Sequence, residues 1–436
     1  MALKETEPLL PASTRSPHDA RRTFVEFFSG FWRLGLVAFG GSSGHVALFH
    51  DRYVSCPEGG PRLPEAAYIE LFALATALPG PIGSKLAASL GATFGGLLGA
   101  IVCFAVFSAP GAIAMATAGV WFHRNMQAPG SEMFIRSVAE HSIGLISAAF
   151  GMVVIASMKI SQRACVGSKL KTLICISTAV IGVLVPPAIA SYLFVTCMAL
   201  GGAIVLVHEK LSHGEQRASD PLPEASEWTS GIHPASGILF LSLFCVISVA
   251  AAAWMPSDLL GKLLKKFWII GWTVFGGGQV VLPFLLNEVV ESKWLPESVF
   301  MSGFGLVGCM PGPFYNIGPF VGGAMLSWDG AACAFVGLFC PALFLIIGIL
   351  PFWDRVRKLS DVRVFLAGVN AAAAGLMITG VWMLMRRTMV GSLAFAISIS
   401  AATMSLSFNV YTPYIILSCG AVGAILVSAE VGGPFH

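Results

Sequence analysis

Long apolar stretches alternate with short polar breaks along this chain. Reading the windows between the breaks predicts spans over 24–48, 67–91, 93–121, 134–158, 170–186, 188–207, 236–254, 265–286, 298–326, 329–352, 363–385, 389–408 and 411–430. Most approach or exceed the roughly 18 residues that a helix needs to cross about 30 Å of hydrocarbon. The expected fold is an all-α integral membrane protein of about 13 transmembrane helices. The widest polar gap, 208–235, carries His208, Glu209, Lys210, Asp220 and Glu224 and reads as a linker.

The pattern also repeats. Gly35-Leu36-Val37-Ala38-Phe39-Gly40-Gly41 returns as Gly271-Trp272-Thr273-Val274-Phe275-Gly276-Gly277, and Leu78-Pro79-Gly80-Pro81 returns as Met310-Pro311-Gly312-Pro313. A glycine follows each second proline at equal distance, Gly91 and Gly323. Two motifs in the same order at nearly matched spacing indicate a duplicated six-span unit. The predicted organisation is a polar cytosolic tail (1–23), a first repeat (24–207), a linker with one extra span (208–264) and a second repeat (265–436). Six spans return the chain to its starting side, so the extra span delivers the second unit upside down, giving two inverted six-helix repeats.

Charge bears on orientation. Lys4, Arg15, Arg21 and Arg22 precede the first span, and Lys159, Arg163, Lys169 and Lys171 fill the loop after the fourth. In the second half, Arg355, Arg357, Lys358 and Arg363 stand before the fourth span, the shift an inversion requires if the amino terminus is cytosolic. Lys262, Lys265 and Lys266 then fall outside and weigh against that orientation.

Composition narrows the class. The chain is 56% hydrophobic and 11% charged, against about 25% charged for a soluble domain, too little to cover a soluble surface. A net charge of +3, spread over short loops, gives no stripe for nucleic acid. The ten cysteines form no Cys-x-x-Cys pair, so no metal, cofactor or disulfide framework is expected. No Ser-His-Asp set, His-Glu-x-x-His or paired intramembrane carboxylates occur at usable spacing, so an enzyme is not expected. The polar start with Pro8, Pro11 and Pro17 is unlike a cleavable signal peptide. Glu5-Thr6-Glu7-Pro8-Leu9-Leu10 resembles an acidic dileucine sorting signal and points to a plasma or vacuolar membrane with the amino terminus cytosolic.

The Pro-Gly-Pro cores carry the candidate chemistry. Proline cannot continue a helical ladder, so each core interrupts its segment, while Pro81 and Pro313 suit the first position of a new helix. The amides of Ile82, Gly83 and Ser84, and of Phe314, Tyr315 and Asn316, are then expected to be unpaired at positive helix starts. Unpaired backbone at membrane depth must be buried or line a cavity, and a helix start there favours an anion. The plainer alternative is a pair of kinks that ease helix packing.

Candidate binding residues are Pro79, Gly80, Pro81, Ser84 and Lys85 in the first repeat and Pro311, Gly312, Pro313 and Asn316 in the second. Around the glycine motifs they are Gly40, Gly41 and His45, and Gly276, Gly277 and Gln279. Lys85 lies one turn after Pro81, where an intramembrane cation costs about 2.5–3.5 kcal/mol unless it finds a cavity, a counter-charge or an interface. For Ser84, Asn316 and His45, ordinary packing and helix–helix hydrogen bonds are the competing readings. Glu140 and His141 are candidates for proton coupling or for an interfacial place.

In this order, Phe-Gly-Gly, Leu-Pro-Gly-Pro and a downstream glycine, repeated as Phe275-Gly276-Gly277-Gly278-Gln279-Val280-Val281-Leu282-Pro283 and Met310-Pro311-Gly312-Pro313-Phe314-Tyr315-Asn316, resemble the two-domain chromate ion transporters over both halves. The resemblance implies a secondary transporter of chromate, with sulfate as a similar oxyanion, working by alternating access in a lipid bilayer. Transport of another small anion, or a channel mechanism on the same fold, stays open, as does assembly as a homodimer. Gly44-His45-Val46 matches the family's histidine context. Lys85 stands where the family more often has an uncharged amide, and Arg62-Leu63 stands in the first loop where a tryptophan is common, as at Trp294 in the second.

Overall fold

The computed structural model describes residues 25–39, 41–55, 63–213, 230–275, 278–356, 359–389, 391–408 and 410–430. The predicted tail 1–23, the glycines Gly40, Gly276 and Gly277, and much of the linker lie outside the described residues. Among the described residues every regular element is helical.

The first repeat comprises α1 (25–37, with a turn at 32–33), α2 (Gly41–His50, extended by a π-helical turn Asp51–Ser55), α3 (Glu65–Ala77), α4 (Ile82–Gln127), α5 (Ser131–His141), α6 (Ile143–Cys165), α7 (Lys169–Leu184) and α8 (Pro187–His213). Helix α9 (Pro234–Ala253) comes next. Beyond it, in the part expected to hold the second repeat, come α10 (Leu259–Thr273, which begins within the expected linker), α11 (Val281–Leu285, preceded by a 3₁₀ turn Gly278–Val280 and extended by a π-helical turn Leu286–Glu291), α12 (Glu297–Val307), α13 (Ile317–Ile349), α14 (Ser360–Thr388), α15 (Gly391–Ser407) and α16 (Thr412–Glu430).

The likeness of the repeats extends to backbone angles. Helix α4 contains a non-helical pair at Gly95 (φ −138°, ψ 17°) and Gly96 (φ 59°, ψ −147°), and α13 contains nearly the same pair at Leu326 (φ −137°, ψ 29°) and Ser327 (φ 57°, ψ −147°). Each long helix folds back there: Gly91 sits against the carbonyl of Gly99, and Gly322 against the carbonyl of Gly330. The glycine equivalent to Gly91 is therefore Gly322, one residue from the expected Gly323, which packs on Ala116 instead. The slip falls after the second Pro-Gly-Pro, where a 3₁₀ turn, Phe314–Asn316, replaces the α-helical start seen at Ile82.

Among the described residues, seven helices are long and apolar enough to cross a membrane, α4 and α13 among them. Four predicted windows are not continuous spans. Within 24–48, α1 and α2 lie antiparallel: Phe27 meets Tyr53 at 4.8 Å between ring centroids and Phe31 meets Phe49 at 5.8 Å. Within 265–286, Lys266 of α10 pairs with Glu288 beyond α11 at 2.8 Å, which folds that segment about the glycines in the same way. Gly303 of α12 meets Phe320 of α13, so the window 298–326 is a hairpin whose apex is the second Pro-Gly-Pro. The window 67–91 holds α3 and the first limb of α4, broken at 78–81. Helix α3 has 13 residues and covers about 20 Å, short of the hydrocarbon thickness.

Packing reveals direction. The first limb of α4 ends at Phe94, stacked 4.4 Å from Phe27 near the start of α1. Its second limb, 97–127, passes the second Pro-Gly-Pro at Gly111, which touches the carbonyl of Pro311. It then runs beside the first limb of α13, where Phe122 meets Phe320 at 5.3 Å and His123 Nδ1 lies 3.0 Å from the carbonyl of Ala324. The hairpins of the first repeat thus flank the start of this limb, and those of the second flank its end.

Small residues let the outer helices close in. Helix α14 runs parallel to α7, with Gly375 on the carbonyl of Cys175 and Gly182 on Thr379, and antiparallel to α8, with Gly201 near Gly368. Ser398 of α15 donates to the carbonyl of Ser147 in α6 at 2.8 Å. Lys210 at the end of α8 pairs with Asp361 at the start of α14 at 2.6 Å, which puts those ends on one face.

Candidate functional site

The apices of the hairpins meet in the middle of the molecule, and each Pro-Gly-Pro is held by the other repeat. Gly80 donates its amide to the carbonyl of Val274 at 2.8 Å, and Gly312 donates to Ala38 at 2.7 Å. Val274 and Ala38 each precede the phenylalanine of a glycine motif. Both donors have positive φ, +98° at Gly80 and +90° at Gly312, a conformation that glycine adopts without cost. Helices thus end at Ala77 and Val307 and begin again at Ile82 and Phe314, in buried surroundings.

No side chain caps the helix start at Pro81. The expectation of free amides does not hold for Asn316, whose amide donates to the carbonyl of Pro313 at 2.9 Å, because the 3₁₀ turn closes its own hydrogen bond there.

Lys85 is fully buried. Its Nζ donates to the carbonyl of Leu78, the C-cap of α3, so the amino group sits at the negative end of one half-helix and in the first turn of the next. Such a helix end is worth about 0.3–2 kcal/mol, less than the cost of an intramembrane cation. His45 is also fully buried. Its Nε2 lies 3.0 Å from the carbonyl of Ala38, which can only accept, so this nitrogen carries the proton. The other ring nitrogen, Nδ1, faces Gly83 and has no hydrogen-bond partner. Ser84 Oγ is 2.7 Å from Ser108 Oγ and ties the two limbs of α4 together. Asn316 donates weakly to the carbonyl of Pro311 at 3.4 Å, and its Oδ1 is buried without a partner.

Among the described residues, two cavities reach this centre. The larger, about 760 Å³, is lined by Val46, His50, Asp51, Tyr68, Thr76, Ile82, Lys159, Arg163, Gln279 and Asn370 among others. The smaller, about 140 Å³, includes Gly41, Lys159, Gln279, Gly312 and Phe314. Ile82 and Phe314, the first residues after the two Pro-Gly-Pro cores, therefore each line a cavity. Gln279 borders both, and its Oε1 is buried without a partner.

Of the predicted residues, Gly41, Gln279 and Gly312 line a cavity wall. Pro79, Gly80, Pro81, His45, Ser84, Lys85, Pro311, Pro313 and Asn316 line neither of these two cavities. Glu140 and His141 lie on α5, bonded to Arg136 at 2.9 Å and to the carbonyl of Ser137 at 2.8 Å, away from both cavities. Lys159 and Arg163, expected in a loop, occupy the last turns of α6, four residues apart on one face. That spacing is visible in the sequence, but not the wall it forms.

At the opposite face the second repeat's hairpins are tied down. Arg387 of α14 pairs with Glu297 at 2.8 Å and with Glu291 as well. We call this the closed face, and the one bearing Asp51 and Arg163 the mouth.

The family model described as Chromate transporter matches residues 25–206 and 261–424. A chromate transport protein of Cupriavidus metallidurans is 25% identical over 91% of both chains. A probable chromate transport protein of Synechococcus elongatus is 24% identical over 91% of this chain and 94% of its own. A chromate transport protein of Pseudomonas aeruginosa is 24% identical over 81% of this chain and 79% of its own. No solved structure matches the chain.

Proposed function

Because the chain belongs to the chromate transporter family, we propose that it carries a small divalent oxyanion, chromate first and sulfate as its analogue, by alternating access between two inverted repeats. The carrying observation is the cavity that runs from Lys159 and Arg163 to Gln279 at the meeting point of the hairpins. Two cations against one carboxylate, Asp51, give its wall a positive field, which draws anions and repels cations.

In this reading the oxyanion stands at Gln279, between the helix start at Ile82 and the turn at Phe314. The amides of Ile82, Gly83 and Ser84 face it. Lys85 acts from behind the wall, anchored to Leu78, and the anion offsets the cost of burying its charge. Gly41 and Gly312 keep the backbone close, and the prolines hold the helix starts in place. Asn316 and His45 brace the apices. The exchanged hydrogen bonds, Gly80 to Val274 and Gly312 to Ala38, couple the repeats, so the mouth closes as the other face opens.

The inversion is supported by parity. The hairpins return to the face they left, so they add no crossing, and the remaining spans of the first repeat, the second limb of α4 with α6, α7 and α8, are still even in number. Helix α9 then inverts the second repeat relative to the first. The basic loops favour a cytosolic mouth.

The test is a substrate panel of chromate, sulfate, molybdate and phosphate in reconstituted vesicles, with and without a pH gradient, together with counterflow. A carrier exchanges labelled oxyanion against a gradient. Flux without counterflow would make the protein a channel, and no oxyanion flux at all would remove the proposal.

A further inference from the structure

The internal repeat assigns a partner to an arginine that has no carboxylate partner among the described residues. Gly151 of α6 packs on the carbonyl of Ser398 in α15, as Gly375 of α14 packs on the carbonyl of Cys175 in α7. The surrounding residues agree in register, Ala148-Ala149-Phe150-Gly151 beside Ala372-Ala373-Ala374-Gly375. The same count onward from each glycine reaches Arg163 and Arg387. A second equivalence concerns the helix starts: α3 begins Pro64-Glu65 and α12 begins Pro296-Glu297, with proline angles of φ −56°, ψ 140° and φ −56°, ψ 138°. Glu65 is therefore the counterpart of Glu297.

The two arginines differ in what they hold. At the closed face Arg387 is paired with Glu297 and Glu291. At the mouth Arg163 lines the large cavity beside Lys159, and among the described residues neither cation has a carboxylate partner. The acid among the lining residues, Asp51, lies 3.9 Å from His50.

We propose that Lys159 and Arg163 form a docking site for the divalent oxyanion, in the place that a carboxylate fills at Arg387. The guanidinium fork takes two oxygens of the tetrahedral anion and the ammonium, one helical turn away, takes a third. Asn370 adds an amide to the same wall. Glu65 is the built-in competitor: when the mouth closes as the other face is closed here, its carboxylate takes Arg163 and the anion moves on to Gln279. This rests on the oxyanion reading above and separates its site into an outer and an inner position.

Titrating sodium sulfate into the purified full-length protein in a calorimeter tests it, with R163A, K159A, R163K and E65Q alongside, all taken as monodisperse samples. Affinity is expected to fall about tenfold in R163A and in K159A, the loss of one charge-assisted contact at an exposed site. R163K should lie between wild type and R163A, and E65Q should bind at least as tightly as wild type. Equal affinity in R163A, K159A and wild type overturns the docking site, as does an equal loss in E65Q. Vesicle flux separates the two claims. Intact sulfate binding without any flux would sink transport and leave the docking site, whereas intact flux with binding indifferent to both cations would do the reverse.

Discussion

Gly80 donates its amide to the carbonyl of Val274, so a loop of the first repeat is secured by the backbone of the second. The bond from Gly312 to Ala38 repeats the exchange in the other direction. Neither repeat can complete its own central loop.

Replacing either glycine with alanine should weaken the fold, and unequally. Both positions have positive φ, which costs a residue with a side chain about 1–2 kcal/mol. At Gly80 the added methyl would also meet Ala342 Cβ at 2.5 Å, whereas at Gly312 the nearest atom is the amide nitrogen of Asn316 at 2.9 Å, the end of a side chain that can move. Thermal unfolding in detergent should place G80A below G312A, and both below wild type. The reverse order would contradict the described apex.

The Lys266–Glu288 pair should be costly to break on one side only. Glu288 is buried and Lys266 half-buried, so E288Q leaves a partly desolvated cation and should lose about 1–2 kcal/mol after allowance for solvent screening. The double variant K266M/E288L should recover most of that loss. If the double variant is no better than E288Q, the pair is not what holds the α10–α11 hairpin.

Ser84 and Ser108 should behave as packing residues. Removing one hydroxyl leaves its buried partner unsatisfied, at about 1–3 kcal/mol, while removing both is nearly neutral. S84A should lower the melting temperature and S84A/S108A should restore it, with oxyanion uptake unchanged in the double variant. Uptake lost in both would return Ser84 to the substrate's side of the wall.

Gln279 borders both cavities, so its charge should control passage. In Q279E a carboxylate would stand at their junction and repel an incoming dianion, and initial uptake rates should fall at least about tenfold. Q279A should lose less, because it removes a contact without adding repulsion. Uptake by Q279E equal to wild type would move the transport path elsewhere.

The amino-acid sequence alone determined that this is a helical membrane protein, that its halves are related, and that the chain breaks at residues 79–81 and 311–313. Each has its origin in local chemistry: runs of apolar side chains, recurrence of Phe-Gly-Gly and Pro-Gly-Pro, and a ring that cannot join a helical ladder. Direction was not legible. A window such as 24–48 has the length and hydropathy of one crossing helix, yet two half-helices folded back on each other have the same residues in the same order, because hydropathy records burial and carries no information about which way a segment runs. Only the meeting of Phe27 with Tyr53, and of Lys266 with Glu288, separates the two cases. Nor could position along the chain show that Lys159 and Arg163 line a cavity while Lys85 and Asn316 do not. Which side chains share a cavity depends on contacts between helices far apart in sequence, and those exist only once the two repeats have packed.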